Sequence, residues 1–299
     1  MKLLPNIGIL MPGDMGHGCG KVLKDSGFNV FTCLSNRSER TKFLSKKSGI
    51  EDTNGIECLL NKVDIILSIL PPEYAISQAV IVNKVSIKNN IDKVITYVDC
   101  NAVSPNTSIK IGDTLSRKNF NFVDGGIIGL NPIIEDGKTR LYVSGKHADK
   151  LKVLDGKGIV VKIIGNEIGK ASAMKMVYAS ATKGTFALHA AVITASRKLN
   201  LFNEYIDELK YSKPNILESM EHMVPKIPLD ADRWEGEMLE IAKTYEKINL
   251  TPKFHQGAAE IMNLANKTAI AEETRENFDK SRSLLEAVDM LVEASKNKT

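Results

Sequence analysis

Gly8-Ile9-Leu10-Met11-Pro12-Gly13-Asp14-Met15-Gly16 decides the fold of this chain. An apolar run, a tight glycine turn and a helix start follow one another directly. Backbone N–H groups at such a helix start face a pyrophosphate, and the helix dipole favours the anion. Gly13 lets the backbone approach the phosphates, and Gly16 lets the helix pack closely on the strand. Asp14 and Met15 complete the turn. Met11 stands where G-x-G-x-x-G has its first glycine, so the stretch also reads as a strand, turn and helix without a ligand.

The flanking sequence repeats the pattern. Apolar runs rich in Ile and Val predict strands at Asn6 to Leu10, Asn29 to Leu34, Ile65 to Leu70, Val94 to Asp99 and Phe120 to Val123. Helical segments alternate with them at Gly16 to Lys24, Ser38 to Lys47, Asn54 to Asn61, Pro72 to Lys84 and Pro105 to Arg117. Strand and helix in alternation imply βαβ units, a parallel sheet and, with right-handed crossovers, a doubly wound Rossmann-type α/β fold. Two more strands are expected at Arg140 to Ser144 and Ile159 to Ile164. After Gly165 the pattern becomes helical throughout. One long helix is expected from Ile168 to Leu199, and further helices begin after Asp230, at Thr251-Pro252 and at Ser281. Lys213-Pro214, Pro225 to Pro228 and Asn249 mark joints. The expected division is residues 1–166, binding a dinucleotide, and residues 167–299, an all-α domain for substrate and dimerisation.

The end of the second strand selects the cofactor. An Asp or Glu there would hold the ribose of NAD. The chain has Ser35-Asn36-Arg37-Ser38 instead. A guanidinium fits a 2′-phosphate in bidentate fashion, and Asn36 and Ser38 add hydrogen bonds, so NADP(H) is expected. The other reading is a surface Arg37 and a Ser38 that only caps the next helix. Leu70-Pro71 at the third strand end and Asn101 beyond Asp99 should complete the cofactor pocket, since ligands sit at the carboxyl ends of strands.

Composition excludes several function classes. Net charge is +4, from 40 basic and 36 acidic residues, without long runs of one sign. Neither nucleic acid nor membrane electrostatics is called for. The opening MKLLPN is interrupted by Pro5 and Asn6 and reads as a strand approach, so no export is expected. Cys19, Cys33, Cys58 and Cys100 form no C-x-x-C pair and have no histidine at ligand spacing. They read as reduced thiols of a cytoplasmic protein, with no metal.

These residues resemble the β-hydroxyacid dehydrogenase family, which includes 6-phosphogluconate and 3-hydroxyisobutyrate dehydrogenases. Gly13, Met15 and Gly16 match its G-x-G-x-M-G turn, and Asn36-Arg37-Ser38 is similar to its NADP-type strand ending. Asp99 to Pro105 resembles its substrate segment, with Asn101 and Ala102 in place of Ser and Thr. Asp124-Gly125-Gly126-Ile127-Ile128-Gly129 resembles its Asp-Ala-Pro-Val-Ser-Gly-Gly, with Ile128 in place of a substrate-binding serine. Gly165 to Gly169 followed by Lys175 resembles the approach to its catalytic lysine, and Tyr178 stands where that family usually has Asn. The stretch from Trp234 to Glu260 looks like a subgroup with its own 6-phosphogluconate-dehydrogenase-like helical domain. The resemblance implies Lys175 as the catalytic group, and Asn101, Ala102, Gly126, Ile127 and Tyr178 at the substrate. It also implies a homodimer paired through helical domains.

The chemistry supports the lysine independently. Oxidising an alcohol sends a hydride to the nicotinamide and a proton to a base, and a lysine does the second job well because burial lowers its pKa readily. Lys175 lies in an apolar, small-residue stretch, Ala171 to Val177. Its other reading is a snorkelling surface lysine. Lys183 is a weaker candidate for an anionic substrate, and His189, Trp234 and His255 for closing the pocket. The stretch from Ala171 to Ala195 carries few charges, as in a helix buried on most sides. The leading expectation is an NADP(H)-dependent oxidoreductase on a small hydroxy acid or its carbonyl partner. The alternatives are a decarboxylating sugar-acid dehydrogenase and a non-catalytic NADP-binding sensor.

Overall fold

The structure is a computed structural model that describes residues 3–115, 119–134 and 138–296. The chain divides into two compact units, Met1–Met176 and Val177–Thr299.

The first unit is an eight-stranded sheet between helices. In chain order it contains β1 (Ile7–Ile9), α1 (Gly16–Asp25), β2 (Val30–Thr32), α2 (Glu39–Lys47), β3 (Glu51–Asp52), α3 (Ile56–Lys62), β4 (Ile65–Ser68), α4 (Ala75–Lys88), β5 (Ile95–Asp99), α5 (Pro105–Thr114), β6 (Phe120–Ile128), β7 (Arg140–Ser144) and β8 (Val160–Ile163). The strand order is β3-β2-β1-β4-β5-β6-β7-β8. All pairings from β3 to β6 are parallel. Side-chain alternation explains the double winding. Ile65, Leu67, Val98 and Val123 enter one apolar cluster, while Ile66, Tyr97 and Phe122 enter a second. Both faces are therefore covered, as continuous apolar strands require.

Two features depart from the expected sheet. β7 runs antiparallel to β6, with Asp124 opposite Ser144. The described residues of the connection between them form no crossover helix, and a parallel return needs one. The edge strand β3 has only two residues, both acidic, so apolar periodicity had nothing to register. The end expected for α5 at Arg117 lies outside the described residues.

α6 (Lys170–Lys198) carries the chain from the first unit into the second. It is followed by α7 (Phe202–Ser212), α8 (Pro214–Met223), α9 (Ala231–Lys247), α10 (Lys253–Ala265) and α11 (Leu284–Lys296). Pro214 occupies the first turn of α8, and Asn200 and Asn249 take positive φ, 59° and 60°, just beyond α6 and α9. α9 and α10 form an antiparallel hairpin. The Tyr245 and His255 rings lie 4.6 Å apart near the turn, and Asn263 Nδ2 donates to Glu235 Oε2 at 3.0 Å farther along.

Two helix details differ from expectation, and α9 starts where expected but without a side-chain cap. The last helix is capped by Ser283, whose Oγ accepts from Glu286 N–H while the Glu286 carboxylate accepts from Ser283, a reciprocal box. Ser281 lies upstream, bonded to Asp279. Asp230 precedes α9 but makes no capping bond, because Arg233 and Arg275 take its carboxylate at 2.9 and 2.5 Å. Along α6, Met174, Val177, Tyr178 and Leu188 are 37% to 60% exposed, so low charge did not mean burial on most sides.

Candidate active site

The glycine turn is shaped by contacts that exclude side chains. A Cβ at Gly16 would lie 2.2 Å from the Met11 carbonyl oxygen, so only glycine fits. α1 begins with no side-chain cap at Met15 and no acid in its first turn. The positive end of its dipole is thus not neutralised by the helix's own residues, which suits an anion. His17 Nδ1 donates to the Gly13 carbonyl at 2.7 Å, and Asn131 Nδ2 donates to the Asp14 carbonyl at 2.5 Å. The segment after β6 is thereby seated on the turn. Gly18 makes the seat, since a Cβ there would meet Asn131 Oδ1 at 1.9 Å.

At the end of β2, Asn36 has φ 60° and Ser38 caps α2 by accepting from Thr41 N–H at 3.2 Å. Arg37 Nη2 donates to Gln78 Oε1 at 3.2 Å, while its buried Nε has no hydrogen-bond partner. A buried guanidinium N–H without an acceptor is costly unless an anion completes it. Arg40, one turn farther on, pairs with Asp14 at 2.6 Å. The buried Arg37 N–H and the uncapped helix start fit the phosphates of a nicotinamide dinucleotide. Sequence reading missed Arg40. Its spacing of three from Arg37 was the available signal.

The ends of β4 and β5 are tied together by Asn101. Its Oδ1 accepts from Leu70 N–H at 2.5 Å, and its Nδ2 donates to Ser68 Oγ at 3.2 Å and to Asp99. The side chain is buried, so it holds the Leu70-Pro71 turn in place. Ala102 is also buried, and Ser104 caps α5 by accepting from Thr107 N–H.

β6 meets the start of α6. The carboxylate of Asp124 is fully buried and accepts from Ser108 Oγ and Ser172 Oγ on one oxygen, at 2.8 and 2.5 Å. The other oxygen accepts from Ser144 Oγ and from the N–H groups of Gly169, Ala171 and Ser172, at 2.9 to 3.1 Å. Two residues on, a Cβ at Gly126 would lie 3.0 Å from both the Ala171 carbonyl and the Lys175 Cβ. Lys175 is half-buried, and its Nζ donates to the Ile127 carbonyl at 2.5 Å. Lys175, Gly126 and Ile127 thus come together from separate parts of the sequence. Burial pushes the Cys19 thiol up to about 12 and Cys100 well above its ordinary value, which disfavours their thiolates.

In the helical unit, Tyr178 is 42% exposed. Lys183 does not offer an open cation. Its amine bonds to the buried Glu237 carboxylate, which also takes Arg233 at 2.5 Å, and it lies over the Trp234 ring at 5.3 Å. Burial lowers the Lys183 pKa against the opposing pull of Glu237. His255 Nε2 lies 2.8 Å from Ser180 Oγ, which also bonds to Tyr245 Oη. His189 is buried with Ser219 Oγ at 3.4 Å.

Fold and site together define a dinucleotide-binding sheet unit followed by a helical unit. Residues 6–156 match the NAD binding domain of 6-phosphogluconate dehydrogenase, and residues 197–264 match a domain of unknown function, DUF1932. An uncharacterized 28.5 kDa protein in the 7S RNA 5′ region of Methanothermus fervidus is 32% identical over 248 residues, covering 83% of this chain and 90% of that protein. The chain belongs to the family defined by the NAD binding domain of 6-phosphogluconate dehydrogenase, and its sheet unit is a nicotinamide-dinucleotide-binding domain. Solved structures share the fold. A 3-hydroxyisobutyrate dehydrogenase from Salmonella typhimurium superposes with TM-score 0.66 at 16% identity, over 95% of this chain and 99% of that one. A reductive aminase from Aspergillus terreus, in complex with NADPH and ethyl levulinate, gives TM-score 0.52 at 14% identity, over 96% and 99%. No helix among the described residues is long and apolar enough to cross a membrane.

Proposed function

We propose that the protein is an NADP(H)-dependent oxidoreductase that interconverts a small hydroxy acid and its carbonyl partner, with Lys175 as the acid–base group. The observation that carries this reading is the seating of Lys175. Its stem passes over Gly126, the second of two adjacent glycines in β6, and its amine ends on the Ile127 carbonyl. A lysine placed only for solubility has no need of that notch.

The nicotinamide supplies the hydride acceptor in oxidation and the donor in reduction. The protein's own residues do the rest. Gly13, Asp14, Met15 and Gly16 hold the pyrophosphate at the start of α1, and Asn36, Arg37 and Ser38 hold the 2′-phosphate. Leu70, Pro71 and Asn101 bound the nicotinamide side. Asn101, Ala102, Gly126 and Ile127 bound the substrate. The neutral Lys175 amine takes the carbinol proton as the hydride leaves, and the ammonium returns it to the carbonyl oxygen in reverse. Residues 1–166 form the cofactor domain and residues 167–299 the substrate and dimerisation domain. The exposed apolar residues of α6 support a homodimer.

The test begins with a screen of hydroxy acids and semialdehydes that follows NADPH absorbance. With the substrate found, Lys175→Met lowers kcat by roughly 10² to 10⁴ with little change in NADPH affinity, the range for losing a positioned acid–base group. Full turnover in that variant removes Lys175 from the mechanism. Cofactor choice is tested by calorimetry. NADPH binds at least about tenfold more tightly than NADH, ~1.4 kcal/mol, and Arg37→Ala removes most of the difference. Equal affinities in the parent protein would refute the assignment to NADP(H).

A further inference from the structure

We infer that Asp124 is a positioning residue for Lys175: by gripping the first turn of α6 it sets where the lysine amine rests, without touching the reacting atoms. The inference rests on the reading of Lys175 as the acid–base group. Asp124 and Gly126 share one face of β6 by its period of two. Asp124 binds the N–H groups of Gly169, Ala171 and Ser172, while Gly126 receives the Ala171 carbonyl and the Lys175 stem. Lys175 is one helical turn beyond Ala171, so rotation or translation of that turn moves the amine directly. The same carboxylate holds Ser108 of α5 and Ser144 of β7, which fixes it from two further sides. Among the described residues its hydrogen-bond donors are neutral, three hydroxyls and three backbone amides. An amide side chain at this position keeps the anchor, with its oxygen toward the α6 amides and its NH₂ toward the hydroxyls of Ser108 and Ser172, which accept as readily as they donate. Loss of the whole group frees the turn.

The test uses the full chain and the substrate from the screen. Asp124→Ala is expected to lower kcat about 10- to 100-fold while the Kd for NADPH stays within about threefold, because a small misplacement of a reacting group is that costly. Asp124→Asn is expected to recover most of that loss. A merely structural role would lower kcat and NADPH binding together and show no rescue by the amide. Parental kcat in Asp124→Ala overturns the inference, and so does an Asp124→Asn loss as deep as that of Asp124→Ala. If Asp124→Ala binds no NADPH and so does not fold, Ser172→Ala decides, with kcat expected to fall roughly 3- to 10-fold through loss of one anchoring hydrogen bond. Parental turnover in Ser172→Ala then overturns it. Lys175→Met separates the two levels. If that variant is fully active, the acid–base reading has failed; if it is inactive while Asp124→Ala is active, only the positioning has failed.

Discussion

Asp124 in the sheet unit and Glu237 in the helical unit are both carboxylates almost wholly out of water, at 0% and 1% exposure, yet they are satisfied by opposite means. Neutral dipoles surround Asp124, half of them N–H groups at a helix start. Cations surround Glu237: Lys183, itself 15% exposed, and Arg233. Removing the charge from a site of neutral dipoles leaves nothing uncompensated. Removing it from a site of cations strands a buried ammonium. The contrast follows from position. A helix start supplies its own donors, whereas mid-helix residues such as Lys183 and Glu237 have their backbone amides already committed.

The largest expected effect on stability tests that contrast directly. Glu237→Gln should destabilise the folded protein by about 3–5 kcal/mol, the loss seen when one partner of a buried ion pair is removed. Asp124→Asn should cost only about 1–2 kcal/mol, since hydrogen bonds remain in place. Urea unfolding of both variants at neutral pH makes the comparison, and equal losses would erase the distinction between the two sites.

A smaller effect concerns pH and the helical unit alone. Burial lowers the pKa values of His189 and His255 below 6.5. The unfolded chain therefore takes up protons first as pH falls. The stability present above about 6.5 is lost as pH falls through that value toward the lowered folded pKa. Asp230 is also held below its usual value, burial pushing it up while Arg233 and Arg275 outweigh that, so it acts at lower pH. Between about pH 7.5 and about 5.5 the unfolding midpoint of the parent should fall, and His189→Gln with His255→Gln should flatten the fall. An unchanged slope in the double variant would place the pH response elsewhere.

Much of this was legible in local sequence. Continuous Ile- and Val-rich runs separated by helical segments specified strands covered on both faces. Gly13 and Gly16 located the start of α1, and Pro214 and Asn249 punctuated the helices where backbone geometry needs them. Of what was missed, the edge strand had no local signal, while the last helix cap and Arg40 each had one within three residues. β3 is two acidic residues at an edge, and Ser283 rather than Ser281 caps α11 because only it has Glu286 three positions on. Arg40 was one turn beyond a residue already chosen, yet its partner Asp14 lies in a different βα turn.

By itself the sequence determined the alternation of strand and helix, the glycine turn, the cation in place of an acid after β2, and a lysine in an apolar helix start. Each depends on neighbours within a turn or two of chain, where steric and hydrogen-bonding preferences act directly. The tertiary structure decided that β7 turns back antiparallel, that Lys183 is taken by Glu237, and that Asp124 grips α6. Those outcomes join residues tens of positions apart, such as Ser108, Asp124, Ser144 and Ser172. Burial forces each polar group to find a donor or acceptor, but which one it finds depends on how the elements stack.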